Sequence, residues 1–307
     1  MSKTQKGVFL AVLGGLCWAG SGACGQYLFE KGYAVEWVSF YRLFFSGLFL
    51  SLFSLGFFSK ALFTGQKSLS LNKFSLFKSP ANAASLAIFG LIGLMGCQYT
   101  YFKAISYLDA GTATMIQYTA PVLIMLIVCL GLRKLPRLGE FIALCAVLVG
   151  MYLLATKGDF KSLNLSLEGL LWGIASAFGI VFYSLGARAI IARYSLSFVM
   201  GFGSLLGAAV LGAISGVFAL SYEADLRLYA AMAFIVVIGT IVAFCAYLKA
   251  LDYIDAVKAS IIACIEPVFA AFLAFIFLGT HYGSLDIFAF GLILLSVILV
   301  SFAKKKE

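Results

Sequence analysis

Glu266 is the acidic residue of this sequence set deepest in a long apolar stretch, and Pro267 follows it directly. An uncompensated charge at mid-bilayer costs about 2.5–3.5 kcal/mol even on the permissive insertion scale, so an intramembrane carboxylate faces a bundle interior or water. Two chemical roles are open to it. Ionised, it can bind a cationic substrate; protonated, it can carry a proton that couples transport. A neutral carboxyl hydrogen-bonded across a helix interface is the structural alternative. Pro121 and Pro267 each remove a backbone donor and free the carbonyl four residues earlier, at Gln117 and Ala263. Backbone exposed at membrane depth survives only where protein or a watery cavity satisfies it. The two prolines are therefore candidate hinges and cavity walls, or else bends filled by neighbouring helices.

Further polar and aromatic residues fall on common helical faces. Gln117 shares one with Ala110, Ala113, Thr114 and Pro121, and Glu266 shares one with Ala259, Ala263 and Ala270. Gln98 lines up with Tyr101, Trp18 with Ser21, Gly22 and Gly25, and Trp172 with Ser176, Gly179 and Tyr183. Each aromatic taken alone fits packing or an interfacial anchor. As a set around Glu266, the residues Gln117, Tyr118, Gln98, Tyr101, Trp18 and Tyr183 are candidate contacts for an amphipathic cationic or zwitterionic solute held by cation-π and stacking interactions. Arg42 can snorkel to the outer interface from near a helix end; pairing with Asp109, another acid or a substrate carboxylate is its functional alternative. His281, in a short loop, reads as solvated.

These residues must be positioned by helices in a membrane. The chain has 307 residues, of which 63% are hydrophobic and 11% charged, and its mean hydropathy is +1.05. A soluble domain carries roughly 25% charged residues, so this composition excludes an ordinary soluble enzyme. The seven cysteines lie inside apolar runs and read as packing residues rather than a disulfide framework. The net charge of +9 is scattered in loops with no basic face, which argues against nucleic acid. No phosphate-cradling loop, HExxH, paired CxxC or nucleophile elbow is present; no cofactor and no metal site are expected, and the chain does not read as an enzyme.

A helix crossing a bilayer needs about 20 apolar residues. Ten such spans are expected, at approximately 7–29, 37–58, 82–102, 110–130, 138–156, 167–187, 197–219, 228–248, 256–278 and 284–302. With the N-terminus inside, sixteen Lys and Arg collect on the cytoplasmic side, including Lys60, Lys67, Lys73 and Lys304 to Lys306, against five outside. That bias predicts both termini cytoplasmic.

The chain also resembles itself. Lys103 to Val122 (KAISYLDAGTATMIQYTAPV) and Lys249 to Val268 (KALDYIDAVKASIIACIEPV) are identical at nine of twenty positions, at a constant spacing of 146 residues, and the register continues upstream through Gly93/Gly239 and Tyr101/Tyr247. Five spans separate equivalent elements, and because five is odd the second half must be inverted in the membrane. Inverted repeats are a common construction of secondary transporters, with substrate sites near the midplane.

Each half resembles the EamA domain of the drug/metabolite transporter superfamily. The resemblance rests on the stretch Ala263-Cys264-Ile265-Glu266-Pro267-Val268-Phe269-Ala270-Ala271, running on to Leu278-Gly279-Thr280, and on Trp18 and Arg42. Two positions depart from it. Where the family often places an acid after the terminal glycine, this chain has Thr280, and the first-half counterpart is Lys134. The resemblance implies export as the commoner direction.

The expected architecture is an all-α integral membrane protein of ten transmembrane helices in two inverted five-helix repeats, residues 1–157 and 158–307. The expected activity is secondary transport, by alternating access across the inner cell membrane, of a small amphipathic metabolite such as an amino acid or a cationic or zwitterionic solute. Its partners would be that solute, lipid and, where Glu266 couples transport, protons; the chain would act as a monomer or homodimer. Uncoupled uniport or exchange of the same solutes is the alternative, with a membrane sensor or an integral-membrane enzyme further behind.

Overall fold

The computed structural model describes residues 1–56, 74–159, 166–223, 225–278 and 281–302. Lys60, Lys67, Lys73, Lys161, the Gly279-Thr280 step and Lys304 to Lys306 lie outside the described residues. Among the described residues all regular structure is helical, and nine helices are long and apolar enough to cross a membrane.

The long helices are α1 (Lys3–Glu30), α2 (Val35–Leu55), α3 (Pro80–Tyr107), α4 (Ala110–Leu132), α5 (Leu138–Thr156), α6 (Leu167–Gly186), α7 (Leu196–Ile214), α8 (Leu226–Ala250) and, last in the chain, α10 (Ser284–Phe302). The expected ninth span is α9, and it is not one helix. It runs Ala256–Ala263, turns at Cys264 and Ile265, and resumes as Glu266–Leu278. Helix α4 is interrupted in the same way, ending a first segment at Gln117 and resuming at Ala120. Both breaks fall just ahead of the prolines expected as kinks, within the spans expected at 110–130 and 256–278. Their cause is local: Pro121 and Pro267 occupy the second position of the resumed segment, where a helix tolerates a missing donor, and the residue that ends each first segment, Tyr118 or Cys264, departs from helical dihedrals with ψ near 12° and 1°.

Local sequence sets the helix starts. Ser2 caps α1 by accepting from the Gln5 amide, while the Gln5 side chain accepts from the Ser2 amide, a reciprocal capping box. Asp109 and Asp255 sit at equivalent positions and cap the first segments of α4 and α9, accepting from the Thr112 and Lys258 amides at 2.9 Å each. Asp109 is thereby committed to its own helix, with the Thr112 hydroxyl as a second donor at 2.6 Å.

The repeat extends to backbone geometry that hydrophobic periodicity does not show. Within α3, Ile88–Gly96 is wound as a wider π-helix, and within α8 the same occurs at Phe234–Val242. The two segments lie at the 146-residue spacing. Such turns concentrate at functional sites, and both segments lead directly into the central cavity.

Helix pairing follows the pseudo-symmetry: α1 packs on α8 as α6 packs on α3, α2 crosses α7, and α5 crosses α10. In lipid, close packing rather than water exclusion holds helices together, and small residues permit it. A β-carbon on Gly47 would lie 2.8 Å from the Leu205 amide nitrogen of α7, one on Gly179 would lie 2.6 Å from the Cys97 backbone of α3, and one on Gly150 would lie 2.9 Å from the Ala289 carbonyl of α10. Gly169, Gly173, Gly203 and Gly207 likewise admit Leu108, Ile116, Phe89 and Met95 into contact. Large apolar side chains such as Leu130, Phe141 and Ile298 cover the outside, as a lipid-facing surface requires.

Candidate functional site

The helix breaks of α4 and α9 meet at the centre of the bundle. Around them lies a cavity of about 40 Å³ whose wall includes Glu266, Gln117, Tyr118, Pro121, Gln98 and Tyr101. Trp18, Tyr183 and Arg42 complete the set of expected residues in that wall. A single ordered water needs roughly 10–15 Å³ by the same kind of measure, so this space suits a few waters, and an organic solute requires its walls to move. Of the expected kink and site residues, Pro267 lies outside the wall, and Ala263, whose carbonyl it leaves without a helical donor, lies in it.

Glu266 is only 6% exposed. Its Oε2 accepts a hydrogen bond from the Tyr118 hydroxyl at 2.7 Å, across the interface between repeats. The same hydroxyl lies 2.9 Å from the Ala263 carbonyl oxygen, the acceptor freed by Pro267. A phenol has one proton, so Tyr118 faces two acceptors and can donate fully to one of them.

Arg42 corrects an expectation. It does not snorkel outward but is 3% exposed. Its Nε donates to the Thr240 hydroxyl oxygen at 2.7 Å and its Nη2 to the Gly239 carbonyl at 3.2 Å, while the guanidinium lies 4.7 Å from the Phe102 ring centroid. Thr240 in turn donates to the Ile235 carbonyl five residues back, spanning the π-helical turn of α8. The widened turn thus presents both an oxygen and a carbonyl to the guanidinium. Arg42 does not pair with Asp109, and among the described residues the ion pairs are Lys103–Glu36, Arg137–Glu140 and Lys249–Asp252. Arg42 and Glu266 therefore share one cavity without bonding to each other.

Aromatic rings form a second part of the wall. Trp18 meets Phe244 edge-on at 5.1 Å between centroids and Tyr247 at 5.3 Å; Tyr183 meets the same two rings at 5.3 and 5.7 Å. Tyr101 donates to the Thr114 hydroxyl at 2.7 Å, since the Thr114 proton is directed to the Ala110 carbonyl at 2.6 Å. That reach depends on Gly22, where a β-carbon would sit 2.7 Å from the Tyr101 oxygen. The Gln117 amide contacts the Cys97 sulfur at 3.8 Å. Trp172 packs on Tyr99 at 5.9 Å and lies outside the cavity wall. His281 is exposed in its loop.

Phe244, Tyr247, Cys97 and Ser260 also line the cavity and were not singled out from sequence as contacts. A signal for two of them existed. Phe244 and Tyr247 stand 146 residues after Gln98 and Tyr101, so the repeat maps one face onto the other. The same mapping shows that the two halves line the cavity with unlike chemistry: Gln98 opposes Phe244, Gln117 opposes Ala263, Tyr118 opposes Cys264 and Ala120 opposes Glu266.

Among the described residues, nine membrane-length helices, a repeat matched between the two halves and a central cavity at two matched helix breaks fit a membrane transporter. The chain belongs to the EamA-like transporter family, whose profile matches residues 5–156 and 167–302. An uncharacterized inner membrane transporter of Salmonella typhimurium, YicL, is 33% identical over 308 residues, covering 100% of this chain and 99% of its own. A solved crystal structure superposes on 97% of this chain and 96% of its own with a TM-score of 0.73 at 19% identity; that likeness bears on the fold alone.

Proposed function

We propose that this protein is a proton-coupled secondary transporter of the inner cell membrane that moves a small amphipathic solute, an amino acid or a related cationic or zwitterionic compound, outward by alternating access. The observation that carries the reading is Glu266: a carboxyl buried in the central cavity, at a helix break of one repeat, hydrogen-bonded to Tyr118 at the matching break of the other. Inverted repeats supply the two-sided access. The excess of Lys and Arg in the loops assigned to the inside supports cytoplasmic termini.

The hydrogen bonds supply a coupling step. With Glu266 ionised, the phenol proton of Tyr118 goes to the carboxylate. With Glu266 protonated, the carboxyl can donate to the phenol oxygen, and the phenol proton turns to the Ala263 carbonyl at 2.9 Å. Proton occupancy of Glu266 thus decides whether the freed carbonyl of the α9 break is satisfied from the opposite repeat. A solute cation entering the cavity competes for the same carboxylate, which links its movement to proton release. The four-ring aromatic wall supports an organic solute with an apolar part.

The test is solute flux in proteoliposomes with and without an imposed pH gradient, for the native protein and Glu266→Gln. The native protein should respond to the gradient and the variant should lose that response. Equal flux and equal gradient dependence in both would show that Glu266 is not the coupling group.

A further inference from the structure

Polar atoms buried without a partner are rare in folded proteins, and each calls for an explanation. Among the described residues several occur, and a group of them faces one space: Nη1 of Arg42, both amide atoms of Gln98 and the hydroxyl of Ser21 line the central cavity with no hydrogen-bond partner. Arg42, Gln98 and Ser21 are 3%, 2% and 2% exposed. The arginine is not loosely placed. Nε and Nη2 are held by Thr240 and Gly239, and the guanidinium faces Phe102. Two of its three nitrogens are thus spent on orientation, and Nη1 is left over in the cavity wall.

We infer that Arg42, Gln98 and Ser21 form an anion subsite that holds the carboxylate group of the transported solute, on the guanidinium side of the cavity and separate from the Glu266 carboxyl. The inference rests on the transport reading above and narrows it. A guanidinium donates most strongly to carboxylates and other oxyanions. The Gln98 amide and Ser21 hydroxyl add donors suited to the same oxygens. Phosphate would fit the donor chemistry too, but the cavity is small and apart from Glu266, Gln117, Tyr118 and Ser260 its remaining wall is apolar and aromatic, which favours a compact carboxylate attached to an apolar body. Since Glu266 and Arg42 share the space without an ion pair, a solute bearing both an amino and a carboxylate group would satisfy each charge at once.

The experiment measures ligand-induced thermal shifts of the full chain in detergent. The probes are 3-phenylpropionate and the twenty standard L-amino acids, each against its carboxamide, together with phenethylamine and inorganic phosphate. Binding to the folded state raises apparent stability by mass action. Carboxylates should stabilise the protein and their carboxamides should not, and Arg42→Gln should weaken carboxylate binding at least tenfold. Because Arg42→Gln also releases Thr240 and Gly239, Ser21→Ala and Gln98→Leu provide a second readout. Neither side chain has a protein partner to lose, so both variants should fold and bind carboxylates several-fold more weakly. Carboxamides binding as well as carboxylates, phosphate or phenethylamine alone binding, no carboxylate in the panel shifting the protein, or Arg42→Gln binding normally would each overturn the subsite. The two readings fail separately. Arg42-dependent carboxylate binding without vesicle flux sinks transport and keeps the subsite; Glu266-dependent flux of a cation lacking a carboxylate keeps transport and sinks the subsite.

Discussion

Replacing Tyr118 with Phe removes one hydroxyl that serves two acceptors, Glu266 Oε2 at 2.7 Å and the Ala263 carbonyl at 2.9 Å. The size of the effect can be bracketed. Hydrogen bonds between membrane helices average about 0.6 kcal/mol by double-mutant cycles, which sets the floor for a neutral bond. Bonds to a charged group contribute about 1.5–3 kcal/mol, and a buried acceptor left unsatisfied costs about 1–3 kcal/mol. These do not simply add, because one proton cannot fully serve both oxygens. A loss of about 2 kcal/mol is expected, which at about 2 °C per kcal/mol for a large chain is a fall of about 4 °C in apparent Tm. The assay is thermal unfolding in detergent at a fixed scan rate, for Tyr118→Phe, Glu266→Gln and the double variant. Since the stronger share of the bond comes from the carboxylate, Tyr118→Phe should cost about 1 kcal/mol less in the Glu266→Gln background, and that difference isolates the pair. Equal costs in both backgrounds, or a loss below about 0.5 kcal/mol, would refute the assigned link between the repeats.

Two further outcomes separate packing from surface electrostatics. Gly90→Ala places a β-carbon 2.6 Å from the Gly203 carbonyl oxygen of α7; backbone cannot give way cheaply there, so a loss of about 1–3 kcal/mol is expected in the same unfolding assay. Glu36→Gln breaks the partly exposed pair with Lys103 and weakens the bond from Tyr99, yet exposed pairs contribute about 0–1 kcal/mol, so its apparent Tm should stay within about 2 °C of native.

The placement of many cavity residues was legible from helical spacing. Trp18, Gln98, Tyr101, Gln117, Tyr183 and Glu266 share faces that converge because long apolar helices leave few other places for polar groups. Arg42 was not placed correctly, because hydropathy records that it is near a helix end but not that α2 turns it toward Thr240 of a helix 198 positions away. The π-helical segments were invisible for a related reason: Ile88–Gly96 is apolar throughout and Phe234–Val242 is apolar but for Thr240, so no polar stripe marks a change in turn width. Phe244 and Tyr247 carry no polar stripe of their own and become candidates only when the repeat is applied position by position. The breaks at Tyr118 and Cys264 lie three residues before the prolines that announce them.

The unlike chemistry of matched positions bears on energy as well as on the cavity. Two identical inverted halves could exchange conformations with no change in free energy, and such a molecule would rest equally with either face open. Here exchange would put Cys264 where Tyr118 stands, and its thiol instead contacts the Ser260 carbonyl at 3.3 Å within its own helix. Exchange would likewise put Ala120 where Glu266 stands. The phenol–carboxylate bond has no mirror image, so the degeneracy is lifted by that one contact. Under the alternating access proposed above, the residues that differ between the halves would set the resting orientation, and those they share the path between the two orientations.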